Sequence, residues 1–441
     1  MNESNLSLAV SRRRFIRNSA VIAAAAGSFP AILHAEEKKQ AINAVIIGMG
    51  GRGAGAGQNL MEAAKIAGVD AKIVAVADLF PEPAAKGKEH FGLPADKCFS
   101  GFDSYLKVLE IPGVNYAILA TPPGFRPAHF KAAVEHGKNV FLEKPAAVDA
   151  PGCRLMYQMY ELTKQKNLKV AAGTQRRHHA GYIETVKRIQ DGALGDISFL
   201  RAYWVNSGPI WHRGEKGDTD LERQIRNWYH YIWLCGDHIV EQHQHNIDVC
   251  NWIMNDHPVK CWGQGARQHL GSKSGEIWDH FAVEFEYASG VRIFSYCGQI
   301  KREKSSISEA VHGTKGTANP SGTIQVRGNP IWRYREEPVN PYVQEHVDLI
   351  RAIVNDTPLN ETKNITDSTL TTIMGREAAY SGAEVEWDAI LNSNYSYGPE
   401  GLNDNCAKME FGPFRTLQPP VPNQHSIFKD PPMVPEAKAT A

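Results

Sequence analysis

Between residues 41 and 172, the chain alternates short, mostly apolar runs with longer stretches of mixed polarity. An apolar run of this length is typical of a strand that is buried on both faces. Strands of this kind that alternate with helices indicate a parallel, doubly wound sheet. We therefore predict strands at residues 41–47, 72–77, 116–120, 139–142 and 168–172, and a helix at residues 129–136.

Beyond residue 195 the pattern changes to an alternation of polar and apolar residues. Residues 284–287 and 292–294 show it, as expected for antiparallel strands with one buried face. Residues after about 398 are rich in Pro and Asn, so we expect an irregular tail with a mobile end. The predicted elements are strands at residues 197–205, 280–287 and 291–296, a turn at residues 313–316, and helices at residues 342–355 and 367–382.

Length, charge and cysteine content narrow the function classes. With 441 residues, the chain is long enough for two domains. It has 48 Lys and Arg against 48 Asp and Glu, so its net charge gives no reason to expect a nucleic-acid or anionic-membrane partner. The seven cysteines are scattered and form no C-x-x-C pair, which argues against a disulfide framework and a zinc knuckle.

The N-terminus has the pattern of an export signal. Three arginines and two apolar residues at positions 12–16 precede an Ala-rich apolar run at residues 19–33 and a small residue at Ala35. The run is too short to span a bilayer, and the consecutive arginines resemble a twin-arginine signal, with a generic basic leader as the alternative. We expect residues 1–35 to be removed on export, which predicts a periplasmic protein without a membrane anchor.

The first apolar run leads directly into Gly-Met-Gly-Gly-Arg-Gly at residues 48–53, a G-x-G-x-x-G motif between a strand and a helix. Here Gly48 permits a tight turn, Gly50 lets the backbone approach a pyrophosphate, and Gly53 lets the helix pack closely on the strand. The N–H groups at the start of the helix then face the phosphates. The motif predicts a dinucleotide-binding domain.

An acidic residue, Asp78, ends the second predicted strand. A carboxylate at this position accepts hydrogen bonds from the ribose hydroxyls of adenosine and repels a 2′-phosphate, so NAD is favoured over NADP. The alternative is that Asp78 only caps the loop before Pro81.

Residues at the predicted strand ends extend this pattern, because ligands of a doubly wound sheet bind beyond the carboxyl ends of its strands. These positions, with two later segments, are Thr121, Pro122, His129, residues 137–138, residues 143–145, residues 176–177 and residues 192–195. Together with the glycine motif and Asp78, they resemble the glucose–fructose oxidoreductase/inositol dehydrogenase (Gfo/Idh/MocA) family over about residues 42–390.

The resemblance implies an α/β fold with an N-terminal Rossmann NAD-binding domain and a C-terminal α/β domain whose sheet is open and mostly antiparallel. We expect the Rossmann domain at residues 40–170 and the substrate-binding and oligomerisation domain at residues 171–390, with its C-terminal helices packed on the first domain. An irregular tail is expected at residues 391–441. In the family the second sheet often forms oligomer contacts, so a dimer or tetramer is expected.

The resemblance also implies which residues form the cofactor and catalytic sites. Lys144 is expected to contact the reacting hydroxyl and the nicotinamide and to stabilise a developing alkoxide; the alternative is a surface lysine paired with Glu143. His245 is the expected general base or acid. Glu241, where the family usually has Asp, is expected to orient His245 or to bind substrate. The expected cofactor-binding residues are Gly48, Met49, Gly50, Gly51, Arg52, Gly53, Asp78, Thr121, Pro122, Pro123, His129, Glu143 and Lys144.

Residues 236–248 are predicted to form a helix with ionisable side chains on one face. The residues on that face, at 3-4-3-4 spacing, are His238, Glu241, His245, Asp248 and Trp252. A core-facing stripe is normally apolar, so this helix is expected to face a polar cleft; a solvated charged face is the alternative. His238, Glu241 and His245 are also metal-ligand types, but the resemblance implies no metal, and metal binding stays a secondary hypothesis.

Several further residues are candidates for substrate contacts. They are Arg176, Arg177, His178, Trp228, Asp237 and His238. The first three follow the fifth predicted strand, which places them at the cleft, unless they only begin a surface helix. Trp228 belongs to an aromatic cluster that would stack on sugar faces or fill a core. The other members of the cluster are Trp204, Trp211, Tyr229, Tyr231 and Trp233.

Three functions are consistent with these residues. The first is an NAD-dependent oxidoreductase that transfers hydride between NAD and a hydroxyl of a sugar, glycoside or polyol. Because free NAD is scarce outside the cytoplasm, export predicts that the cofactor stays bound and is regenerated by a second substrate. The second is a redox-neutral glycoside hydrolase that oxidises C3 transiently and eliminates the aglycone. The third is a binding protein that keeps NAD structurally.

Overall fold

The computed structural model describes residues 41–206, 212–337 and 339–426. The predicted signal peptide at residues 1–35, Trp211 and the end of the predicted tail lie outside the described residues. No helix in the described part of the chain is long and apolar enough to cross a membrane.

The apolar runs of the first half form a six-stranded sheet in which every pairing is parallel. Its strands are β1 (Ile42–Ile47), β2 (Ala71–Asp78), β3 (Cys98–Ser100), β4 (Tyr116–Leu119), β5 (Asn139–Leu142) and β6 (Val170–Ala172). Their order in the sheet is β3-β2-β1-β4-β5-β6. The sequence pattern does not predict β3, because this strand has only three residues and none of them is fully buried.

Helices cover both faces of this sheet. They are α1 (Gly51–Ala67), α2 (Pro81–Phe91), α3 (Ser104–Leu109), α4 (Arg126–Glu135) and α5 (Ala150–Gln165). Alternate residues of β1 belong to different apolar cores, with Ile46 in one core and Ile47 in the other. β1 pairs with β2 on one side and with β4 on the other, so the crevice expected at a change of winding direction lies at their carboxyl ends.

Later residues build a second sheet of nine strands. They are β7 (Ile197–Val205), β8 (Pro258–Ala266), β9 (His280–Tyr287), β10 (Arg292–Gly298), β11 (Ser306–Gly313), β12 (Gly316–Asn319), β13 (Thr323–Val326), β14 (Trp332–Arg333) and β15 (Val385–Glu386). Their order is β14-β13-β12-β11-β7-β10-β9-β8-β15, and among these strands only β7 and β10 pair in parallel. The predicted fold class, a parallel Rossmann sheet followed by a mostly antiparallel one, is confirmed.

One long helix, at residues 362–381, contacts strands of both sheets, and another, at residues 341–354, packs back on the first. The helices of the second half are α6 (Ala180–Gln190), α7 (Asp220–Arg226), α8 (Ile232–Cys235), α9 (His238–Glu241), α10 (Gln244–Met254), α11 (Pro341–Val354), α12 (Thr362–Ser381), α13 (Trp387–Leu391) and α14 (Leu402–Asn405). α11 packs on α1, where Val343 and Ile350 share an apolar core with Leu60. α12 is buried along most of its length and packs against α5, α10 and β8.

The single helix predicted at residues 236–248 is wrong. Two helices, α9 and α10, occupy this segment, and a turn at Gln242 and His243 separates them. The His243 side chain is fully buried, and its Nε2 lies 2.7 Å from Oγ of Ser295 on β10. The interruption therefore brings Nε2 of a buried imidazole to a distant partner, which helical periodicity does not reveal.

The tail predicted to be irregular is packed in its described part. It contains α14, and Tyr397, Leu402 and Cys406 are each at most 3% exposed. Pro and Asn predict loop conformation, whereas the aromatic and apolar residues between them supply enough buried surface to hold the loop against the rest of the chain.

Candidate functional site

A cavity of about 850 Å³ lies at the carboxyl edge of the first sheet. Residues that follow β1, β2, β4 and β5 line it together with residues of the second half, among them Trp204 and His245. This volume is in the range of small-molecule and cofactor sites. The position agrees with the rule that ligands of doubly wound sheets bind beyond the carboxyl ends of the strands.

The glycine loop has the geometry that a pyrophosphate requires. Gly48 adopts φ +96, and a Cβ on Gly53 would lie 1.8 Å from the carbonyl oxygen of Gly48, so both positions need glycine. A Cβ on Gly50 or Gly51 would have no neighbour within 4 Å, so this stretch of backbone faces open space. α1 begins at Gly51 without a side-chain cap, which leaves its first N–H groups for an anion.

Two of the predicted cofactor residues act behind this loop. Gly53 does not line the cavity and instead allows α1 to approach β1. Met49 is fully buried, and its backbone N–H donates a hydrogen bond to Asp78 Oδ2 at 2.8 Å. The structure therefore brings Gly48, Gly50, Gly51 and Arg52 to the cavity and leaves Met49 and Gly53 in supporting positions.

Asp78 lies at the end of β2 and lines the cavity. Its two carboxylate oxygens accept the backbone N–H groups of Met49 at 2.8 Å and Phe80 at 3.1 Å. Burial raises the pKa of this carboxyl group, and these two hydrogen bonds oppose the shift. Each oxygen keeps a lone pair for a ribose hydroxyl, so the geometry fits the adenosine ribose of a dinucleotide.

Asp78→Ser is expected to weaken NADH binding about tenfold and to lower the preference for NADH over NADPH by a similar factor, because the charge that repels a 2′-phosphate is gone. Fluorescence titrations with both reduced dinucleotides measure the ratio. Asp96→Ser, at an exposed carboxylate outside the cavity, is the control. An unchanged ratio in Asp78→Ser would show that Asp78 does not select the ribose.

The ends of β4 and β5 supply further lining residues. Thr121, Pro122, Pro123 and His129 all line the cavity, and Thr121 Oγ1 lies 3.1 Å from Nδ1 of His129. Burial lowers the pKa of His129 to about 3, so its imidazole is neutral and acts as a hydrogen-bonding group rather than a cation.

An ion pair fixes Arg52, which precedes the last glycine of the motif. Its guanidinium contacts the carboxylate of Glu143, and a second carboxylate, Glu345 on α11, lies 3.9 Å away. Glu143 and Arg52 both line the cavity. This pair therefore ties the glycine loop to the segment that carries Lys144.

Lys144 is held by Glu241. Its ammonium donates to the backbone carbonyl of Glu241 and forms an ion pair with Glu241 Oε1 at 2.9 Å. Both side chains are about one-tenth exposed, and both line the cavity. Burial raises the pKa of Glu241, while the charge of Lys144 opposes that shift. The alternative of a surface lysine paired with Glu143 is not what the structure shows.

His245 lies in the first turn of α10 and lines the same cavity. Its ring stacks on Trp204 with 5.5 Å between ring centroids. Burial and then the charge of Lys144 lower the pKa of His245 well below its ordinary value. The site therefore combines a neutral imidazole, which can accept a proton, with an ammonium group that can stabilise negative charge.

Asp237 and His238, predicted to contact substrate, do not line the cavity. Asp237 is fully buried at φ +70 and accepts the N–H of Trp278 at 2.8 Å and the hydroxyl of Tyr380. Burial raises the pKa of Asp237 to about 6 and lowers that of His238 to about 3. Asp237 caps the start of α9, where its side chain accepts the N–H of His238. The prediction that these two residues contact substrate is therefore corrected.

The cavity lining also excludes the predicted substrate contacts Arg176, Arg177 and His178. Each of them instead pairs with a carboxylate from a distant part of the chain. The partners are Glu309 for Arg176, Asp248 for Arg177, and Asp348 and Glu361 for His178. The neighbouring Gln175 and the predicted Trp228 do line the cavity. The strand end was located correctly, but the three cations are used in ion pairs.

Metal ligation gains no support from the geometry. Among the described residues, no group of three His, Cys, Asp or Glu side chains converges as a metal site. All seven cysteines are free thiols, and six of them are buried.

Sequence reasoning missed several lining residues. They are Phe80, Tyr105, Arg226, Gln242, Tyr342 and Cys406. Gln242 lies in the turn between α9 and α10, and Tyr342 lies in the first turn of α11. The ends of these helices are therefore the sequence feature from which their place at the cavity could have been predicted. Cys406 belongs to the tail at residues 391–441. The aromatic residues of that tail could have predicted that it packs against the rest of the protein.

Family models match the two halves of the chain in order. One, described as an oxidoreductase family with an NAD-binding Rossmann fold, matches residues 42–174. The second, the GFO/IDH/MocA C-terminal domain, matches residues 182–319.

Individual proteins are similar over part or most of the chain. Inositol 2-dehydrogenase 3 from Saccharopolyspora erythraea is 32% identical over 225 residues, which are 51% of this chain and 57% of that protein. The chain thus spans less than two thirds of the length of the curated relatives it matches. A solved aldose-aldose oxidoreductase from Caulobacter crescentus, complexed with glycerol, has a TM-score of 0.63 at 19% identity, covering 78% of this chain and 99% of that one.

A levoglucosan dehydrogenase in complex with NADH and levoglucosan has a TM-score of 0.65 at 17% identity, covering 79% of this chain and 99% of that one. At these identities the solved structures show a shared fold. The two family models belong to one family and together span more than half of the chain. The chain is therefore a member of the Gfo/Idh/MocA family of oxidoreductases and carries its NAD-binding Rossmann domain.

Proposed function

We propose that this protein is an NAD-dependent oxidoreductase that acts on a hydroxyl group of a sugar, glycoside or polyol. The observation that carries the proposal is the meeting of Lys144, Glu241 and His245 in the same cavity as the glycine loop and Asp78. An inert dinucleotide-binding fold has no need for an ammonium and a neutral imidazole beside that loop.

Each of the three residues has a defined task. A nicotinamide dinucleotide, when bound, supplies the hydride acceptor and donor. Glu241 occupies two of the three N–H donors of Lys144, which leaves one for the oxygen of the substrate. The ammonium then stabilises negative charge on that oxygen. His245 accepts the hydroxyl proton on its neutral imidazole.

The polar groups of the cavity favour a substrate with several hydroxyls. Oε2 of Glu241 and Oε1 of Gln175 are buried and have no hydrogen-bond partner among the described residues. Both residues line the cavity. Buried acceptors of this kind need donors, and a polyhydroxylated ligand supplies them. Trp204 and Trp228 add apolar surface for the C–H faces of a sugar.

The names of the relatives point the same way. Inositol and levoglucosan are polyhydroxylated rings, and the curated and solved relatives named for them share this family or fold. We further propose that residues 1–35 export the folded protein through the twin-arginine pathway to the periplasm, which rests on the sequence pattern alone. In that compartment the dinucleotide stays bound, and a second substrate regenerates it.

The first experiment determines what the protein carries and what reduces it. The protein is purified from the periplasm, a denatured sample is analysed for dinucleotide, and the intact sample is titrated with inositols, aldoses and glycosides while the absorbance of reduced nicotinamide is followed. We expect bound NAD and a rise with a polyol or sugar that persists until an acceptor is added. Release of aglycone without lasting reduction would replace this proposal with the redox-neutral glycoside hydrolase, and failure to bind any dinucleotide would overturn both.

The pH profile of substrate oxidation tests the task given to His245. Since the pKa of His245 is lowered, the neutral base is present at and below neutral pH and is lost only as the pH falls through the lowered pKa. We expect the acid limb of kcat/KM to lie below the ordinary imidazole pKa. His245→Asn should lose that limb together with most of the rate. An acid limb at or above the ordinary imidazole pKa would assign the proton to another group.

We also propose a homo-oligomer that uses the outer face of the second sheet. Tyr203, Trp262, Phe294 and Tyr296 share this face, and Trp262 and Tyr296 are 50% and 47% exposed. Exposed aromatic clusters on a sheet are typical of protein interfaces. Trp262→Glu is expected to lower the assembly mass measured by light scattering, whereas Ile66→Glu, at an exposed apolar residue of α1, should not. Equal masses for both variants would contradict the assignment of this face.

A further inference from the structure

Residues 397–425, here called the C-terminal strap, form a loop that is closed at its base. Tyr397 donates a hydrogen bond to Glu377 Oε1 at 2.9 Å, and Nε2 of His425 lies 2.8 Å from Glu377 Oε2. Glu377 is itself paired with Arg376, and both are 1% exposed. The two ends of the strap therefore meet on one buried carboxylate of α12.

The tip of the strap reaches the first sheet. Cys406 lines the cavity that contains the glycine loop. The ring of Phe411 stacks on Phe80 at 5.8 Å between centroids and contacts Phe102 at 5.0 Å. Phe80 and Phe102 also line the cavity. A segment that begins and ends on α12 thus crosses to the far end of the dinucleotide cleft.

The helix α7 reaches the same place from the second half of the chain. The Arg226 guanidinium lies 3.8 Å from the ring centroid of Phe80, and Arg226 lines the cavity. The strap is attached to this helix, because Leu221 N–H donates to the carbonyl of Gly412 and Gln224 donates to the carbonyl of Arg415. α7 and the C-terminal strap therefore form one continuous wall.

The position of this wall relative to Asp78 identifies what it faces. Asp78 is placed to accept the hydroxyls of the adenosine ribose, and Phe80 follows it by two residues. The space between Phe80, Phe102 and Tyr105 therefore lies where the adenine base extends beyond that ribose. A flat base suits a site lined by aromatic rings and a guanidinium.

We propose that the C-terminal strap and α7 form the outer wall of the adenosine subsite and that the strap must open before the dinucleotide leaves. The inference rests on the proposed function, because it takes the cavity to hold a dinucleotide. It assigns retention of the cofactor to a segment outside the Rossmann domain. The strap has a weak point for opening at its tip, where Phe411 is 40% exposed, whereas its base is buried.

The test measures dissociation rather than catalysis. The full-length protein is loaded with radiolabelled NAD⁺, excess unlabelled NAD⁺ is added, and the loss of label is followed. Phe411→Ser removes the stacking contact at the tip, and His425→Ala removes one end of the closure at the base. Both are expected to release NAD⁺ about tenfold faster, since lost contacts act mainly on dissociation rates.

Val421→Ser is the matched control, because this strap residue is 46% exposed and lies outside the cavity lining. It should release label at the wild-type rate. Amide hydrogen exchange of residues 402–412, expected to slow when NAD⁺ is bound, gives a second measurement that needs no variant. Wild-type release rates in both strap variants, or exchange that ignores NAD⁺, would overturn the role of the strap. A wild-type protein that binds no NAD⁺ would instead overturn the proposed function first.

Discussion

Replacing Lys144 with Met is expected to lower kcat for substrate oxidation by about a thousandfold while dinucleotide affinity changes little. Methionine keeps most of the length of the side chain and removes its charge. The ammonium is the group that can face the developing negative charge on the substrate oxygen, and a preorganised donor of this kind acts mainly on the transition state. The loss should therefore appear in kcat more than in KM.

The measurement is a single turnover of the NAD-loaded protein with a polyol that reduces it, followed by the absorbance of reduced nicotinamide. Lys131→Met is the matched control, because its ammonium pairs with Glu135 on an exposed face of α4. It should retain wild-type turnover. A Lys144→Met variant that stays within tenfold of the wild type would remove Lys144 from the chemistry and leave His245 as the only assigned group.

The same variant bears on Glu241, whose place is usually taken by Asp in the family. Here the longer side chain reaches the ammonium of Lys144 at 2.9 Å, and the backbone carbonyl of the same residue also accepts from it. Without Lys144, Glu241 would be a buried carboxylate that has lost its cation, and its already raised pKa would rise further. We therefore propose that Glu241 positions Lys144 and offers its second oxygen, which has no partner among the described residues, to substrate.

The first sheet and its cofactor residues were predictable because their signals are local. β1 is apolar except for Asn43, and the glycine motif and Asp78 follow the ends of strands that such apolar runs mark. The roles of Gly48 and Gly53 depend only on backbone geometry that one strand–turn–helix unit defines. Such signals need no knowledge of the rest of the fold.

The errors have a common cause in contacts between distant residues. Arg176 and Arg177 follow a strand end, as substrate-binding residues would, but Glu309 and Asp248 approach from β11 and α10 and neutralise them. Asp237 likewise accepts hydrogen bonds from Trp278 and Tyr380. A sequence gives the chemical type of a side chain and its local position, whereas its partner depends on tertiary packing.

Gly53→Ala is expected to lower dinucleotide affinity by about a hundredfold or more and to lower the Tm of the protein. Gly53 lies within α1, and its backbone is not in the left-handed region, so an alanine meets no conformational penalty there. The whole effect is steric. The new Cβ would lie 1.8 Å from the carbonyl oxygen of Gly48 and 3.3 Å from Cγ2 of Ile46.

This clash falls on backbone rather than on a mobile side chain, so α1 must move away from β1. That movement withdraws the N–H groups at the start of α1 from the position of the pyrophosphate, which couples stability to dinucleotide binding in one substitution. Gly55→Ala separates the two effects, because a Cβ at Gly55 has no neighbour within 4 Å. In the same helix it should raise stability by up to about 1 kcal/mol and leave affinity unchanged. Calorimetric titration with NADH and thermal unfolding of both variants measure the difference, and a Gly53→Ala protein that binds NADH like Gly55→Ala would mean that close approach of α1 to β1 is not what builds the site.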